Sequence, residues 1–374
     1  MGIYRFILSI VVILFHFGSV SVPSGYSAVF GFYLLSGYVI TLVIDKTYFK
    51  KGIVSFYINR LLKILPLYVV YVLLTFIIMK LHGGSGFTLN LNNENDIYYI
   101  IPETIKSYNL YDILNEILLN FFAYKSEIKA LILNGFPQLV PQAWSLCVEI
   151  IFYISAPLLV YSHKNKKNEK LFYFILIPLM LIYPIVTLKM GLDFPTYRYR
   201  SVFSTYVIFL IGSAIYFIKS KIPKIPKANI VFFLLIGLYL YSIIFVNRKE
   251  LIESQIYLVL IIQILIVIVS TQISLIGKFM KYDKMMGNLS YGLFIGHFFS
   301  AFLVLIITEH FYMINGIYIF GKPNTLIFGV AITILQLIMT IITYFVIDKP
   351  VEVIRTKVRG KKNYVQTFDV NVKI

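Results

Sequence analysis

Apolar runs long enough to cross a bilayer recur along most of this chain, and they limit its fold more than any other feature. A helix rises about 1.5 Å per residue, so roughly 20 apolar residues cross a hydrocarbon core of about 30 Å. Such runs are read over 6–22, 26–44, 64–81, 144–163, 171–188, 202–218, 229–246, 255–276, 289–308 and 324–347. They are continuously apolar and lack period-two alternation, which argues against a transmembrane barrel. The expected fold class is all-α, a polytopic membrane helical bundle of about ten transmembrane helices. Composition agrees: 59% of the residues are hydrophobic and 14% charged, against about a quarter charged in a soluble domain.

The net charge of +17 invites a nucleic-acid reading, but the placement of the charge favours another. The basic stretches DKTYFKKGIVSFYINRLLK, KNKKNEK, KSKIPKIPK, GKFMKYDK and DKPVEVIRTKVRGKK all fall on one side once the spans alternate. The positive-inside rule makes that side the cytoplasm, with both termini in it and no nucleic-acid partner implied. The first run is read as a retained span and not a cleaved signal peptide, because an even number of spans keeps both basic ends inside. Residues 1–350 are expected to form the membrane domain, and 351–374 a basic cytoplasmic tail. The one long stretch without a span, 82–143, would lie outside. Its pieces ILLNFFAY and ALILNGF are too short to cross, so re-entrant or interfacial placement is expected. A loop this long suits a role such as covering a site. The single cysteine, Cys147, excludes an internal disulfide and a cysteine-rich metal site.

Ionisable groups inside hydrocarbon cost at least about 2.5 kcal/mol on insertion scales, so they mark cavities or partners. Here they are His16, Glu149 and His297. By helix rise, His16 lies about 16 Å from Arg5 at the inner edge and about 9 Å below the outer end of its span. Glu149 lies about 7 Å below the outer surface if its span begins at Trp144, which sets it near the level of His16. His297 lies about 12 Å up from the inner face. A carboxylate and an imidazole at one depth suit general-base chemistry, and equally a proton relay or two separate packing contacts.

Arg5, Arg60 and Lys63 would form a cationic inner mouth for an anionic, phosphate-bearing ligand, or serve only as positive-inside anchors. Arg60 and Lys63 share a helix face at i, i+3. Arg198 and Arg200 in YRYRS lie at the outer end, as loop charges or as contacts to a sugar. Trp144, the single tryptophan, suits an interfacial anchor. No Walker loop, GxSxG elbow or HExxH motif occurs. His82, His163 and His310 have no metal-ligand spacing, so no metal is expected.

Six pieces in order resemble the acyltransferase 3 family of bacterial membrane O-acyltransferases. YRFILSIVVILFHFG carries Arg5 and His16 as in the first-span signature. AVFGFYLLSGYVIT resembles the "FFxLSGF" stretch and contains Ser36, and FYINRLLKILPLY resembles "RxxRIxP" with Lys63 where arginine is usual. QAWSLCVEIIFY resembles "WSLxxE", supplying Trp144, Ser145 and Glu149, although Ile150 follows where a polar residue is usual. SYGLFIGHF resembles "SYxLYLxH", supplying Tyr291 and His297, and IDKPVE resembles "ExP" with Asp348 in place of glutamate.

The resemblance implies transfer of an acyl group, commonly acetyl from cytoplasmic acetyl-CoA, to a hydroxyl of a surface polysaccharide or its lipid-linked precursor. It implies a multi-pass location in the bacterial cytoplasmic membrane, with membrane lipid around the protein and no permanently bound cofactor. It further implies that Arg5, Arg60 and Lys63 hold the donor, that His16 acts as base or acyl carrier, and that Glu149 orients His16 or contacts the sugar. Ser36, Trp144, Ser145, Arg200, Tyr291 and His297 are then the expected acceptor-side contacts. The competing functions are a proton-coupled transporter or flippase for a glycan precursor, and a non-catalytic scaffold.

Overall fold

The computed structural model describes residues 1–18, 22–50, 52–82, 87–89, 98–100, 111, 113–114, 117, 139–164, 182–192, 194–245, 252–273, 277–308, 311–314, 317–320 and 326–359. Among these residues the apolar helices are α1 (Gly2–Phe17), α2 (Val22–Val43), α3 (Ile53–His82), α4 (Trp144–Lys164), α5 (Val202–Ile218), α6 (Ala228–Phe245), α7 (Ile252–Ser270), α8 (Lys278–Thr308) and α9 (Leu326–Thr343). Seven of them are long and apolar enough to cross a membrane, while α1 and α6 are shorter apolar helices. The chain therefore forms a polytopic membrane bundle. The expected run 171–188 lies mostly outside the described residues, its last part being helical over 182–189. ILLNFFAY and ALILNGF, except residue 117, and the tail from 360 onward also lie outside them.

Helices α1 and α2 are the central pair. Helix α1 packs against α2, α8 and α9, and α2 packs against α1, α4, α5 and α7. The inward faces are aromatic and aliphatic, with Tyr4, Leu8, Val12, Ile13 and Phe17 of α1 buried against Phe30, Leu34 and Leu35 of α2 and Phe298 and Phe302 of α8. In lipid, such contacts are made by close packing and not by expulsion of water, so small residues matter where helices cross. Gly37 and Gly212 supply that crossing between α2 and α5. A Cβ on Gly37 would lie 2.1 Å from the Phe209 carbonyl oxygen, and one on Gly212 2.1 Å from the Leu34 carbonyl oxygen. Thr41 and Ser213 join the same helices by a 2.8 Å hydroxyl contact.

The helix ends carry wider turns. Phe49 N donates to Ile44 O, five residues back, at 2.8 Å, and similar turns occupy Phe194–Tyr199 and Tyr344–Asp348. Such i→i+5 turns inside or beside α-helices re-aim side chains and are frequent at functional sites. After the last of them, α10 (Lys349–Arg359) runs along α3. Asn59 Nδ2 donates to the Arg355 carbonyl at 3.1 Å, while Arg355 Nε and Nη2 donate to Asn59 Oδ1 at 3.3 and 3.1 Å. At the same end of the bundle, the Met1 amino group meets Asp283 at 3.2 Å.

The all-α expectation needs one addition. Four short strands, β1 (Phe87–Leu89), β2 (Tyr98–Ile100), β3 (Phe311–Ile314) and β4 (Ile317–Phe320), form an antiparallel sheet in the order β1-β2-β4-β3. Tyr99 pairs with Ile319 across its centre. The sheet joins the stretch after α3 to the stretch between α8 and α9, at the end of the bundle away from Met1. Strands of three or four residues are too short for a period-two pattern to be read.

The crossing of α2 and α5 generates a stability prediction. Gly212→Leu should force these helices apart and cost about 1–3 kcal/mol, as overpacking does. In a thermal melt of the detergent-purified protein, the midpoint should fall, and a midpoint equal to wild type would show that the close approach carries no weight.

Candidate functional site

Two groups of polar side chains sit along α1, one at each end of it. The inner group forms where α1, α2, α3 and α4 converge. Glu149 Oε1 accepts a 2.5 Å hydrogen bond from Ser36 Oγ on α2 and another from the Tyr153 hydroxyl one turn along α4. Arg5 lies within electrostatic reach of Glu149, Tyr153, Arg60 and Asp283. The Arg60 guanidinium lies 5.6 Å from the Phe56 ring centroid and 5.9 Å from that of Tyr153. Its Nε is buried with no hydrogen-bond partner among the described residues. Weakly hydrated and planar, a guanidinium tolerates such aromatic surroundings and keeps donors for a planar or phosphate anion.

One turn beyond Arg60, Lys63 faces Asp348, Arg355, Glu352 and Arg5. Lys63 and Asp348, two of the positions that depart from the motifs the sequence resembles, therefore interact with each other. The latch between Asn59 and Arg355 holds α3 immediately beside Arg60. Tyr291 of α8 donates to the Ile64 carbonyl at 2.9 Å and is electrostatically coupled to Glu149 and Asp348, so it belongs to this inner group.

The outer group surrounds His16. Its ring stacks on that of His297, with centroids 5.3 Å apart and planes at 18°, and Phe298 and Phe15 lie at 5.1 and 4.8 Å. Arg200 is within electrostatic reach of His16. Its guanidinium lies 5.6 Å from the Trp144 ring centroid, and Trp144 meets Tyr199 edge-on at 5.0 Å. Tyr199 in turn packs on Tyr26 at 4.2 Å. Arg200 Nε is buried without a partner among the described residues. The neighbouring arginine has a different role: Arg198 donates through its two Nη atoms to the Leu192 carbonyl at 2.7 Å and to Glu253 of α7 at 2.6 Å, which ties its turn to the bundle.

The two groups lie at different depths, which corrects the sequence estimate for Glu149. Phe15 packs on Tyr26, with centroids 5.9 Å apart, and Leu8 packs on Gly31, so α2 runs back down α1. Ser36 stands ten residues below Tyr26, about 15 Å by helix rise, level with the start of α1 and not with His16. Glu149 reaches down to it. The estimate took α4 to begin at an exposed surface, whereas its start is enclosed by the protein. Pro141, Gln142 and Ala143 before it are buried, and Gln142 Nε2 donates to the Ile295 carbonyl of α8 at 2.5 Å. Ser145 is turned to its own chain, donating to the Gln142 carbonyl at 3.0 Å.

Several members of the site could not be singled out beforehand. Tyr153, Tyr199, Gln142, Asn59 and Arg355 carry no special spacing, apart from Tyr153 standing four residues after Glu149 on one helix face. Gln336 is a further example. It is buried in α9, donates to Tyr71, to the Gly292 carbonyl and to Thr340, and accepts from Ser300 at 2.6 Å. Such a saturated knot fixes α8, and with it His297, against α3 and α9.

These features define a polytopic membrane protein with a line of ionisable and aromatic side chains through its centre. The chain belongs to the acyltransferase 3 family: the family model described as an acyltransferase domain matches residues 3–345. A comparison with curated proteins found no match, nor did one with solved structures.

The inner group generates a second stability prediction. Glu149→Gln keeps an acceptor for Ser36 and Tyr153 and loses only the charge, whereas Glu149→Ala also leaves both hydroxyls without their acceptor. The alanine variant should be the less stable by about 1–3 kcal/mol. Equal melting temperatures for the two variants would show that the hydrogen bonds to Glu149 carry no weight.

Proposed function

We propose that this protein is a membrane O-acyltransferase that moves an acetyl group from cytoplasmic acetyl-CoA to a hydroxyl of a cell-surface polysaccharide or its lipid-linked precursor. Family membership supports acyltransferase activity in general. Together with the apolar helices, it also supports a multi-pass location in the bacterial cytoplasmic membrane. The observation that carries the finer reading is the spacing along α1. Arg5 stands in a cluster with Arg60 at one end, and His16 stands eleven residues on, about 16 Å away by helix rise.

That spacing suits a donor whose phosphates and reactive thioester are far apart. The guanidiniums of Arg5 and Arg60 and the ammonium of Lys63 offer charge and donors to the phosphates. Glu149 acts at this end, keeping Arg5 and Arg60 from an uncompensated clash in low dielectric. His16 stands where the acyl carbon would arrive, as proton acceptor or acyl acceptor, with Arg200, Trp144 and Tyr199 on the side from which a sugar would come. A sugar hydroxyl is a weak nucleophile near neutral pH, so a base beside it is a chemical requirement. On this reading, the basic end of the bundle, with Met1 and α10, faces the cytoplasm.

Purified protein given labelled acetyl-CoA separates transferase from transporter, since only a transferase moves the label or releases CoA. His16→Ala should abolish O-acetylation of the surface polysaccharide, read as ester signals by NMR, while the protein still accumulates in the membrane. Ester content at the wild-type level in that variant would remove His16 from the chemistry. Replacing Arg60 and Lys63 together by alanine should raise the acetyl-CoA concentration needed for half-maximal rate about tenfold or more, the loss of a charge-assisted contact of about 1.5–3 kcal/mol. An unchanged requirement would assign both charges to topology alone.

A further inference from the structure

His297 is the buried titratable group whose geometry the proposed function leaves least explained. Its side chain is 0% exposed. Nδ1 lies 2.6 Å from the Phe294 carbonyl oxygen. A carbonyl can only accept, so Nδ1 carries the proton and the ring is held as one tautomer. Nε2 is then a lone-pair acceptor, buried and without a hydrogen-bond partner among the described residues. Unpaired buried acceptors are uncommon and costly, and a native structure retaining one calls for an explanation. Here the orphaned nitrogen belongs to the ring stacked on His16.

We propose that His16 and His297 divide the reaction, His16 carrying the acyl group and His297 Nε2 taking the proton of the acceptor hydroxyl. This rests on the reading of His16 given above and deepens it. A single imidazole cannot do both, because once its nucleophilic nitrogen is acylated it has no lone pair there to accept a proton. A second imidazole stacked on the first, with its tautomer fixed and its acceptor nitrogen empty, supplies what is missing.

The steps balance. A ring nitrogen of His16 attacks the thioester carbon, the carbon–sulfur bond breaks, and CoA leaves as the thiolate, with an acylimidazolium remaining on His16. The acceptor hydroxyl oxygen then attacks that carbon while its proton passes to His297 Nε2, and the carbon–nitrogen bond breaks to restore neutral His16. The His297 imidazolium finally gives its proton to the thiolate, so acyl-CoA and an alcohol become an ester and CoA. The Arg200 guanidinium, over Trp144 and within electrostatic reach of His16, is positioned to steady the oxyanion formed in either addition.

The test uses full-length protein and two measurements. The first is exchange of labelled CoA into acetyl-CoA, which needs only the first half-reaction and no glycan. The second is acetyl ester on the surface polysaccharide of cells expressing the variant. Wild type should show both, and His16→Ala should show neither. His297→Asn keeps an N–H for the Phe294 carbonyl and removes Nε2. It should retain exchange within a few-fold of wild type and lose ester formation about a hundredfold or more, the range typical of a missing general base. Retained exchange also certifies that this buried variant is folded, and His297→Gln, which keeps a polar group near the Nε2 position, serves as its companion. Ester formation at the wild-type rate in either variant would overturn the proposal, as would joint loss of exchange and ester formation in both. A wild type that forms ester in cells but shows no exchange would also overturn it, by removing the acyl carrier, while leaving the proposed function standing. A wild type showing neither activity would sink the proposed function itself.

Discussion

A carboxylate placed inside a low-dielectric bundle has to be compensated, and the way Glu149 is compensated organises the centre of this protein. Its partners come from separate helices: Ser36 from α2, Tyr153 from its own α4, and the charge of Arg5 from α1. Arg60 of α3 completes the group by lying over Tyr153. Four helices are thus drawn to one point by a single charge, in a medium where apolar surfaces alone gain little from meeting one another. Arg60 is not used up in this arrangement, since its Nε has no hydrogen-bond partner among the described residues.

The outer level follows from what happens above α4. The backbone before Trp144 is buried and tied to α8 through Gln142, which brings the indole to Tyr199 and Arg200. The wide turn over Phe194–Tyr199 gives the two arginines of YRYRS separate environments: Arg198 is spent on Glu253, whereas Arg200 is turned toward Trp144 and His16. A pair equivalent along the chain thus divides into an anchor and a member of the candidate site. Polar knots set the frame around them, Gln336 fixing α8 and the reciprocal Asn59–Arg355 contact fixing the start of α3.

Much of this was legible from the chain. Long apolar runs announce membrane helices because the bilayer permits so few alternatives for the backbone, and an ionisable residue in such a run announces a site because burying it is expensive. That argument singles out His16, Glu149 and His297 as groups that are costly to bury, and position at the helix ends singles out Arg5 and Arg60. The short strands β1 to β4 escaped it, having too few residues to show a period. Tyr153, Asn59 and Arg355 escaped as well, since a tyrosine beside an interface or an arginine in a basic tail looks ordinary until its partner is seen.

Hydropathy and charge bias determined by themselves that the chain is a polytopic helical bundle, which groups are buried at a cost, and how far apart Arg5 and His16 stand on one helix. These are properties of a single helix in a slab of hydrocarbon, set by rise per residue and by solvation. Only the tertiary structure decided which groups meet. It lowered Glu149 to the level of Ser36, stacked His297 on His16 and set Arg200 over Trp144. Those outcomes depend on where α4 begins, on how α1 and α2 run past each other and on the turn before α5, and none of these is contained in the residues of any one segment.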